Sequence, residues 1–278
     1  MKKKLNSVLL FGILMTITIS ASAQISMIKD IQTTTNKAGS NPTLFVEMNG
    51  YLYFVATEPS VGTELWRTDG TAGHTELVKD IKSGSGSSNP SNLIVYHNAL
   101  YFQADDGIAG TELWKTDGTE NGTEMVMDIY AGSGGYGGLN SSSPQNFVIF
   151  KDSLFFQAKD GNGAELWKSD GTDSGTFMVK NIYTGNAAGY GGGPNSSYPQ
   201  NLIVVNNILF FVAASNNLGY ELWKSDGTGA GTMIVKDINP SKATDLSKPM
   251  PPLPKLFVGM NGILYFTADN TDNSVNDD

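Results

Sequence analysis

The sequence predicts an all-β protein, a β-propeller of four-stranded antiparallel blades with four complete repeats and a composite or incomplete fifth. Three observations predict this fold. The octapeptide Glu-Leu-Trp-x-x-Asp-Gly-Thr, in which x varies, occurs four times and begins at Glu64, Glu112, Glu165 and Glu221. All four tryptophans lie within these copies, and 32 glycines with a charged fraction of 16% are typical of many tight turns. Self-similarity at a spacing of about 50 residues is typical of propellers, solenoids and repeat arrays.

Each repeat contains four short apolar segments that predict antiparallel strands. In the first repeat, segments 43–47 and 51–56 flank Asn49-Gly50, a pair typical of tight β-hairpins. The third segment contains Glu-Leu-Trp, and an Asp-Gly-Thr loop separates it from the fourth. Because Leu and Trp are neighbours in a strand, their side chains point to opposite faces. A propeller blade, which is buried on both faces, needs this arrangement.

The two ends of the chain predict how the ring closes. Residues 25–31 resemble the fourth strand of a repeat, and residues 255–268 resemble the first two strands of a fifth repeat. Pairing of these segments would give a composite fifth blade without its third strand. A larger ring truncated at the C-terminus is the second interpretation, since the sequence stops where a fifth Glu-Leu-Trp is expected. A linear β array is the third.

Residues 1–23 have the pattern of a secretory signal peptide, which leaves residues 24–278 as one propeller repeat domain. Three lysines at positions 2 to 4 precede an apolar run over 8–19, and Ala21-Ser22-Ala23 forms a small-x-small cleavage motif. This run is short for a membrane span, so we expect no stable span after cleavage. An uncleaved membrane anchor is the alternative.

The charge of the chain argues against nucleic acid as a partner. The formal net charge is -9, and it becomes about -12 without the three lysines of the signal segment. An acidic surface repels phosphate backbones. It is compatible with cations, neutral glycans or basic protein surfaces, and we expect an extracellular glycan or protein ligand. The chain has no cysteine, so neither disulfides nor thiolate chemistry is available.

The repeated octapeptide resembles the ELWxxDGT repeat family of secreted bacterial proteins. With their flanking strands, the four copies cover nearly all of residues 25–268. The resemblance implies a multi-repeat, propeller-like protein that is secreted or held at the cell surface of a bacterium. Such proteins are often tethered by a C-terminal sorting domain, which this sequence does not show, and this again favours truncation. The family carries no reaction that transfers to this chain.

The residues that recur in every repeat are expected to be structural. Each repeated aspartate is expected to accept hydrogen bonds from the backbone of its own turn. A calcium ligand is the alternative, but one carboxylate per copy is a weak calcium loop, so we expect no cofactor and no metal site. The tryptophans are expected in the core, and the repeated glutamates are expected to pair with Lys79, Lys180 or Lys236. The structural set is Trp66, Trp114, Trp167, Trp223, Asp69, Asp117, Asp170 and Asp226.

The connections between repeats differ most and are therefore the predicted binding face. In a propeller, the fourth-to-first-strand connections share one face with the second-to-third-strand loops, and the two kinds of hairpin turn lie on the opposite face. Function is concentrated in loops on rigid scaffolds. Tyrosines among glycines and serines suit adaptable recognition, although unliganded spacers have the same composition. The candidate ligand-binding residues are Tyr130, Tyr136, Tyr183, Tyr190 and Tyr198.

The sequence contains no recognisable catalytic constellation. The two histidines, His74 and His97, lie in turns and belong to no repeated cluster. The leading interpretation is therefore a non-enzymatic secreted scaffold that presents a ligand-binding or adhesive loop face, with no catalytic residue. The alternative is a secreted glycan-active hydrolase or lyase that uses acids on that face. A truncated fragment without independent function is the third interpretation.

Overall fold

The structure, a computed structural model, describes residues 27–32, 39–133, 138–185, 194–216, 218–238 and 254–268. These residues form four four-stranded antiparallel sheets and one two-stranded sheet. In every sheet the strands are neighbours in the order of the sequence, so each repeat folds as one meander. The predicted all-β propeller architecture, with four complete blades and an incomplete fifth, is confirmed.

The complete blades share one pattern of strand lengths. The first blade comprises β1 (Thr43–Met48), β2 (Tyr51–Glu58), β3 (Gly62–Thr68) and β4 (Glu76–Lys79). The second comprises β5 (Ser91–Tyr96), β6 (Ala99–Asp105), β7 (Thr111–Thr116) and β8 (Glu124–Met127). The third comprises β9 (Gln145–Phe150), β10 (Ser153–Asp160), β11 (Gly163–Ser169) and β12 (Phe177–Lys180). The fourth comprises β13 (Gln200–Val205), β14 (Ile208–Ser215), β15 (Gly219–Ser225) and β16 (Met233–Lys236), and the incomplete fifth comprises β17 (Lys255–Met260) and β18 (Ile263–Thr267).

Helical structure is confined to one 3₁₀ turn, Ala72–His74, among the residues that the structure describes. Within the same residues, no helix has the length and apolar character needed to cross a membrane.

A two-residue turn joins the first two strands of every blade, as predicted. In the first blade, Met48 pairs with Tyr51 across Asn49 and Gly50, whose φ angles are 54° and 78°. Turns of this kind match the strand twist only when both central residues have positive φ, which asparagine and glycine tolerate best. The local sequence therefore sets the register of the hairpin.

Three apolar cores lie between successive blades. The first joins Tyr53 and Leu65 of the first blade to Phe102 and Trp114 of the second. The second and third blades, and the third and fourth, are joined by equivalent clusters. Leu65 thus faces the following blade, whereas Trp114 faces the preceding one. The predicted placement of Leu and Trp on opposite buried faces is confirmed.

Close packing between blades explains the glycine of the Asp-Gly-Thr loops. A Cβ atom on Gly118 would lie 2.1 Å from Oη of Tyr53, a residue of the preceding blade. A Cβ atom on Gly171 would lie 2.1 Å from Oη of Tyr101 in the same way. At Gly227 the equivalent neighbour is the ring of Phe155, at 3.5 Å. At Gly118 and Gly171, only glycine leaves room for the aromatic side chain of the preceding blade, whereas at Gly227 a Cβ atom would make an ordinary contact.

Three repeated glutamates, Glu64, Glu112 and Glu165, form what we call the glutamate clamp, and for these three the expected pairing with lysine is wrong. Glu112 is fully buried and accepts hydrogen bonds from the backbone N–H of Ile129 (3.0 Å) and of Ser142 (2.9 Å), and from the Ser142 hydroxyl. Glu64 binds Ile81 and Ser88 in the same way, and Glu165 binds Ile182 and Ser197. A buried carboxylate is tolerable when several donors surround it. The clamp fixes the start and the end of the connection to the next blade.

The lysines of the fourth strands instead reach the next blade. Lys79 Nζ donates to the carbonyl oxygen of Thr123 (2.8 Å), and Lys180 Nζ donates to that of Thr232 (2.7 Å). Lys29 Nζ donates to the carbonyl oxygen of Thr75 (2.6 Å), which is the equivalent atom of the first blade. Residues 27–32 therefore contact the first blade as a preceding fourth strand would. They are not assigned as a strand, so the predicted strand over 25–31 is wrong for these residues.

The two faces of the array carry the loops as expected. A Cβ atom on Gly62, in the second-to-third-strand turn, would lie 1.8 Å from the carbonyl oxygen of Gly86 in the fourth-to-first-strand connection. On the opposite side, Lys151 of a first-to-second-strand turn donates to the carbonyl oxygen of Asp226 in an Asp-Gly-Thr loop (3.0 Å). The variable connections and the β2–β3 type turns therefore share one face, which we call the loop face.

Candidate functional site

A polar cleft opens between the third and fourth blades at the loop face. Its volume is about 400 Å³. Side chains from four strands line it. They come from the starts of β9, β13 and β15 and from the middle of β10, and one more comes from the residue two positions before β13. The lining consists of five amides and two phenols: Gln145, Asn146, Gln157, Gln200, Asn201, Tyr198 and Tyr220. We refer to it as the polar cleft.

Backbone geometry turns the asparagines of the cleft toward the next blade. Asn146 and Asn201 have positive φ, 61° and 56°, at the irregularity where the register of each first strand shifts. Asn146 Nδ2 donates to the carbonyl oxygen of Pro199 (3.1 Å), and Asn201 Nδ2 donates to that of Pro254 (3.4 Å). A primary amide has two N–H donors and a carbonyl acceptor, so one such bond leaves further donor and acceptor capacity in each side chain.

Tyr198 is presented by the glutamate clamp of the third blade. The clamp holds Ser197, whose hydroxyl donates to Glu165 Oε2 (2.5 Å) and whose backbone N–H donates to Oε1 (3.1 Å). The backbone N–H of Tyr198 itself donates to the carbonyl oxygen of Ala164 (3.1 Å). Both sides of the peptide are therefore fixed, while the Tyr198 side chain is about half exposed, at 49%.

The second phenol of the cleft lies close to the first. Burial raises the pKa of Tyr220, and the neighbouring Tyr198 phenol raises it further. The Tyr220 hydroxyl therefore stays neutral across the physiological range and can both donate and accept hydrogen bonds. Among the residues that line the cleft, none carries a formal charge at neutral pH.

The two phenols occupy positions at which the other repeats have small residues. Tyr198 replaces Asn41, Asn89 and Ser143, and Tyr220 replaces Thr63, Thr111 and Ala164. All four residues at the first position have positive φ, between 45° and 49°. Asparagine enters this region readily, but a bulky side chain there is an outlier that suggests a functional reason. The phenols are therefore departures from an otherwise repeated backbone.

One predicted ligand-binding tyrosine lies in the polar cleft. Tyr130 and Tyr183 are half-buried at the start of their connections and do not line it, and Lys159 Nζ lies 5.6 Å from the centre of the Tyr130 ring. Tyr136 and Tyr190 lie outside the described residues. The binding role of all five stays a prediction, and the structure brings only Tyr198 together with other polar side chains.

The repeated aspartates bind their own turns. Asp117 Oδ1 accepts from the backbone N–H of Thr119 (2.8 Å) and from its hydroxyl (2.7 Å), and Asp69, Asp170 and Asp226 repeat this pattern. In the first blade, His74 Nδ1 also lies 2.6 Å from Asp69 Oδ2. This contact and the Thr71 hydroxyl lower the pKa of Asp69 to about 2. Within the described part of the chain, no group of three or more acidic, histidine or cysteine side chains could hold a metal ion.

Sequence reasoning missed six of the seven cleft residues. The sequence alone does not single out the five amides, because asparagine and glutamine near a strand start resemble ordinary turn residues. Tyr220 was overlooked because it immediately precedes the Glu-Leu-Trp of its repeat. A position-by-position comparison of the repeats would have identified both tyrosines, since neither has a counterpart in another repeat.

Comparison with known proteins gives a likeness of fold. No protein family model and no curated protein sequence matches the chain, so the ELWxxDGT resemblance stays a prediction. Among solved structures, a puromycin hydrolase (S511A mutant) is similar at 16% identity over 78% of this chain and 31% of that chain, with a TM-score of 0.43. A nidogen–laminin complex is similar at 14% identity over 79% and 68%, with a TM-score of 0.38. An α-L-arabinofuranosidase from Clostridium thermocellum is similar at 14% identity over 83% and 82%, with a TM-score of 0.32.

These comparisons correct one prediction. The solved structures of similar fold include a puromycin hydrolase and glycoside hydrolases, so the prediction that this protein is not an enzyme is wrong as it was stated. The chain spans less than a third of the length of the puromycin hydrolase, at 31%. The propeller fold is seen in the blades of this chain itself, and the likeness assigns no residue of this chain to a reaction.

Proposed function

We propose that this protein acts on glycans and that the polar cleft is where it holds uncharged sugar residues. The observation that carries the proposal is the lining of the cleft, which combines five amides with two phenols and contains no formal charge. This choice takes up the glycan-active alternative of the sequence analysis. The proposal is consistent with the predicted signal peptide, because an exported protein would encounter extracellular glycans.

Amides and phenols are suited to carbohydrate. A sugar presents neighbouring hydroxyl groups, each of which donates and accepts, and a primary amide offers both functions within one planar group. An aromatic ring offers an apolar face to the C–H groups of a sugar and a hydroxyl at its edge. Binding sites generally combine such apolar surfaces with a few fixed polar groups. The cleft between β9 and β13 supplies both.

The electrostatics favour an uncharged ligand over a polyanion. The described residues that line the cleft include no arginine, lysine or histidine, so a sulfate, phosphate or uronate would be buried there without a counter-charge. The net charge of -9 adds a long-range repulsion for anionic chains. A neutral polysaccharide or a neutral glycoprotein glycan meets neither penalty.

The conformation of Tyr198 supports the same assignment. Its φ of 46° places a bulky residue where the first and second repeats have asparagine. Strain of this kind costs about 1–3 kcal/mol and persists where the surrounding structure fixes it. At Tyr198 the glutamate clamp and the bond to Ala164 do so. The strained position turns a phenol into the cleft.

The test replaces each phenol by the residue that another repeat has at the same position. We expect the purified protein to bind neutral oligosaccharides on a glycan array, and Tyr198→Asn and Tyr220→Thr each to weaken that binding at least about tenfold by calorimetry. New reducing ends produced by cleavage of the bound glycan are measured on the same samples. If both variants lose this cleavage, the reaction takes place at the cleft.

Ser143→Asn is the matched control, because it makes the same kind of repeat exchange between the second and third blades. It is expected to leave affinity unchanged. The proposal fails if neutral oligosaccharides do not bind, or if both phenol variants bind as tightly as the control.

A further inference from the structure

The interfaces between blades follow one repeated pattern of contacts. The aromatic residue of the second strand places its ring or hydroxyl against the glycine of the next Asp-Gly-Thr loop, as Tyr53 does at Gly118 and Tyr101 does at Gly171. The second-strand leucine of the following blade closes the same interface. Leu100, Leu154 and Leu209 at this position are all fully buried.

Among the residues that the structure describes, the first blade presents one half of this interface without its partner. A Cβ atom placed on Gly70 meets nothing within 4 Å, whereas the equivalent glycines meet the aromatic side chain of the preceding blade. Leu52, the counterpart of Leu100, is 39% exposed, and Phe45 is 56% exposed. Between them lies an apolar groove of about 240 Å³ that also contacts Ile31 and Phe54. We call this the open face of the first blade.

The β17–β18 hairpin presents the complementary half. Val258, Met260 and Tyr265 correspond by repeat position to Val46, Met48 and Tyr53. Met48 and Tyr53 are almost completely buried against the second blade, but Met260 is 54% exposed and Tyr265 is 48% exposed. The side of the hairpin that carries these three residues is its outer face. The equivalent side of the first blade contacts Leu100, Trp114 and Gly118 of the second blade.

The N-terminal segment, residues 27–32, already makes part of the contact that a preceding blade would make with the first blade. Lys29 Nζ donates to the carbonyl oxygen of Thr75, as Lys79 donates to Thr123 between the first and second blades. The fourth-strand contact of a preceding blade is therefore already made, and the first- and second-strand contacts are missing. Strands equivalent to β17 and β18 supply those contacts.

We propose that the open face of the first blade binds the outer face of the β17–β18 hairpin of a second copy of this chain. The hairpin of the same copy is held at the other end of the array, where a Cβ atom on Gly259 would lie 2.8 Å from Val205 and one on Gly262 would lie 3.8 Å from Asn206 Cβ. The hairpin packs on β13 of the fourth blade, and no comparable packing joins it to β1 or β2 of the same copy among the described residues. A second copy continues the established interfaces without altering any of them. Tyr265 of one copy then occupies the space beside Gly70 of the other.

The repeat offers a matched pair of cysteine variants, because the native chain has no cysteine. The contact between Asn206 Cβ and the Cβ position of Gly262 is 3.8 Å, which suits a disulfide. Asn206→Cys/Gly262→Cys is therefore the positive control, and it cross-links within one chain. Asn261→Cys/Gly50→Cys places the same pair of turn positions across the proposed interface. Non-reducing electrophoresis and mass spectrometry show, for each variant, whether the disulfide forms within one chain or between two chains.

We expect the test pair to form a disulfide between chains after mild oxidation, with a yield comparable to that of the control. A disulfide within one chain would overturn the proposal, because the hairpin would then close its own ring. Absence of any cross-link while the control forms one would overturn it as well.

A second measurement does not depend on cysteine chemistry. We expect the unmodified protein to associate in sedimentation experiments, and Tyr265→Asp to weaken association at least about tenfold, since it would bury a charge beside Gly70. Ile108→Asp is the control, because Ile108 is an exposed apolar residue of the β6–β7 loop, outside both faces. A monomeric unmodified protein, or equal effects of the two substitutions, would overturn the proposal.

Discussion

The cleft between the third and fourth blades and its counterpart between the second and third share a backbone but not a chemistry. Both are bordered by an asparagine with positive φ at the start of the first strand of a blade, Asn146 of β9 in one and Asn92 of β5 in the other. Both follow a glutamate clamp. The counterpart has Ser143 and Ala164 where the polar cleft has Tyr198 and Tyr220. It also has Ser91 in place of Gln145, and Gln103 Nε2 donates to the Ser91 hydroxyl (2.6 Å), so one donor of that amide is used within the blade.

The difference separates what builds a blade from what distinguishes one blade from another. The clamp, the turn aspartate and the tryptophan recur, so folding alone explains them. Two phenols that line a single cleft are not needed for folding, because three other repeats fold without them. In a repeat protein, each repeat thus serves as the internal control for the next.

The clamp offers the largest expected effect. We predict that Glu112→Ala lowers the free energy of unfolding by about 4 kcal/mol, since it leaves two buried N–H donors unpaired at a cost of roughly 2 kcal/mol apiece. Glu165→Ala is expected to cost only about 2 kcal/mol, because the backbone N–H of Ser197 keeps its second bond to the carbonyl oxygen of Ala164 (2.9 Å). Urea unfolding measures both. Glu165→Ala is also expected to weaken glycan binding through Ser197 and Tyr198, whereas Glu112→Ala is not.

Glutamine at the same positions is the milder control, because its amide oxygen still accepts one bond. It is expected to recover part of the lost stability. Wild-type stability in either alanine variant would show that the buried hydrogen bonds at that clamp contribute little.

The second prediction concerns pH. Burial raises the pKa of Glu112 to about 7, from 4.5 for a free side chain. Between these values the folded protein holds a proton that the unfolded chain has lost, so the free energy of unfolding falls as pH rises. The loss is expected between pH ~5 and ~7 and amounts to at most about 3 kcal/mol. Burial also raises the pKa of Glu64 and of Glu165, which act in the same direction.

Urea unfolding over that pH range tests this prediction. Glu112→Gln removes one titrating group and is expected to flatten the curve. Identical pH slopes for the variant and the unmodified protein would mean that Glu112 does not titrate in this range.

The smallest expected effect is a gain in stability. Tyr198→Asn returns the usual residue to a positive φ and is predicted to raise the free energy of unfolding by about 1 kcal/mol, even as it weakens ligand binding. Asn89→Tyr is the reverse exchange at the equivalent position and should lower stability by a similar amount. Thermal unfolding compares the two, and a stability loss in Tyr198→Asn would argue against strain at this residue.

The fold was predictable because its rules are local. Asn49-Gly50 specifies a turn with two positive φ angles, and the adjacent Leu and Trp of Glu-Leu-Trp require burial on both faces of a strand. Each signal spans a few residues and recurs, so the repeat reinforces it. The incomplete fifth blade followed from the same patterns.

The clamp and the cleft depend on distant residues and were not predictable. The serine partner of the glutamate lies 24, 30 or 32 residues further along the chain, so no fixed spacing identifies it. Glutamate and lysine were paired by charge alone, whereas burial selected uncharged donors for the carboxylate. Tyr198 was found by residue type together with four other tyrosines, and only the structure separates it from Tyr130 and Tyr183.

The clamp also bears on how such a protein diversifies. It holds the connection at two points, one 17 residues after each glutamate and one at the serine before the next blade. The chain between these points differs in length from repeat to repeat while the sheets stay the same. Since closing a longer loop costs little extra entropy, new segments can be inserted there without disturbing the blades. The segment between Ile129 and Ser142 is thus a natural graft site, at which foreign peptides could be displayed on an unchanged scaffold.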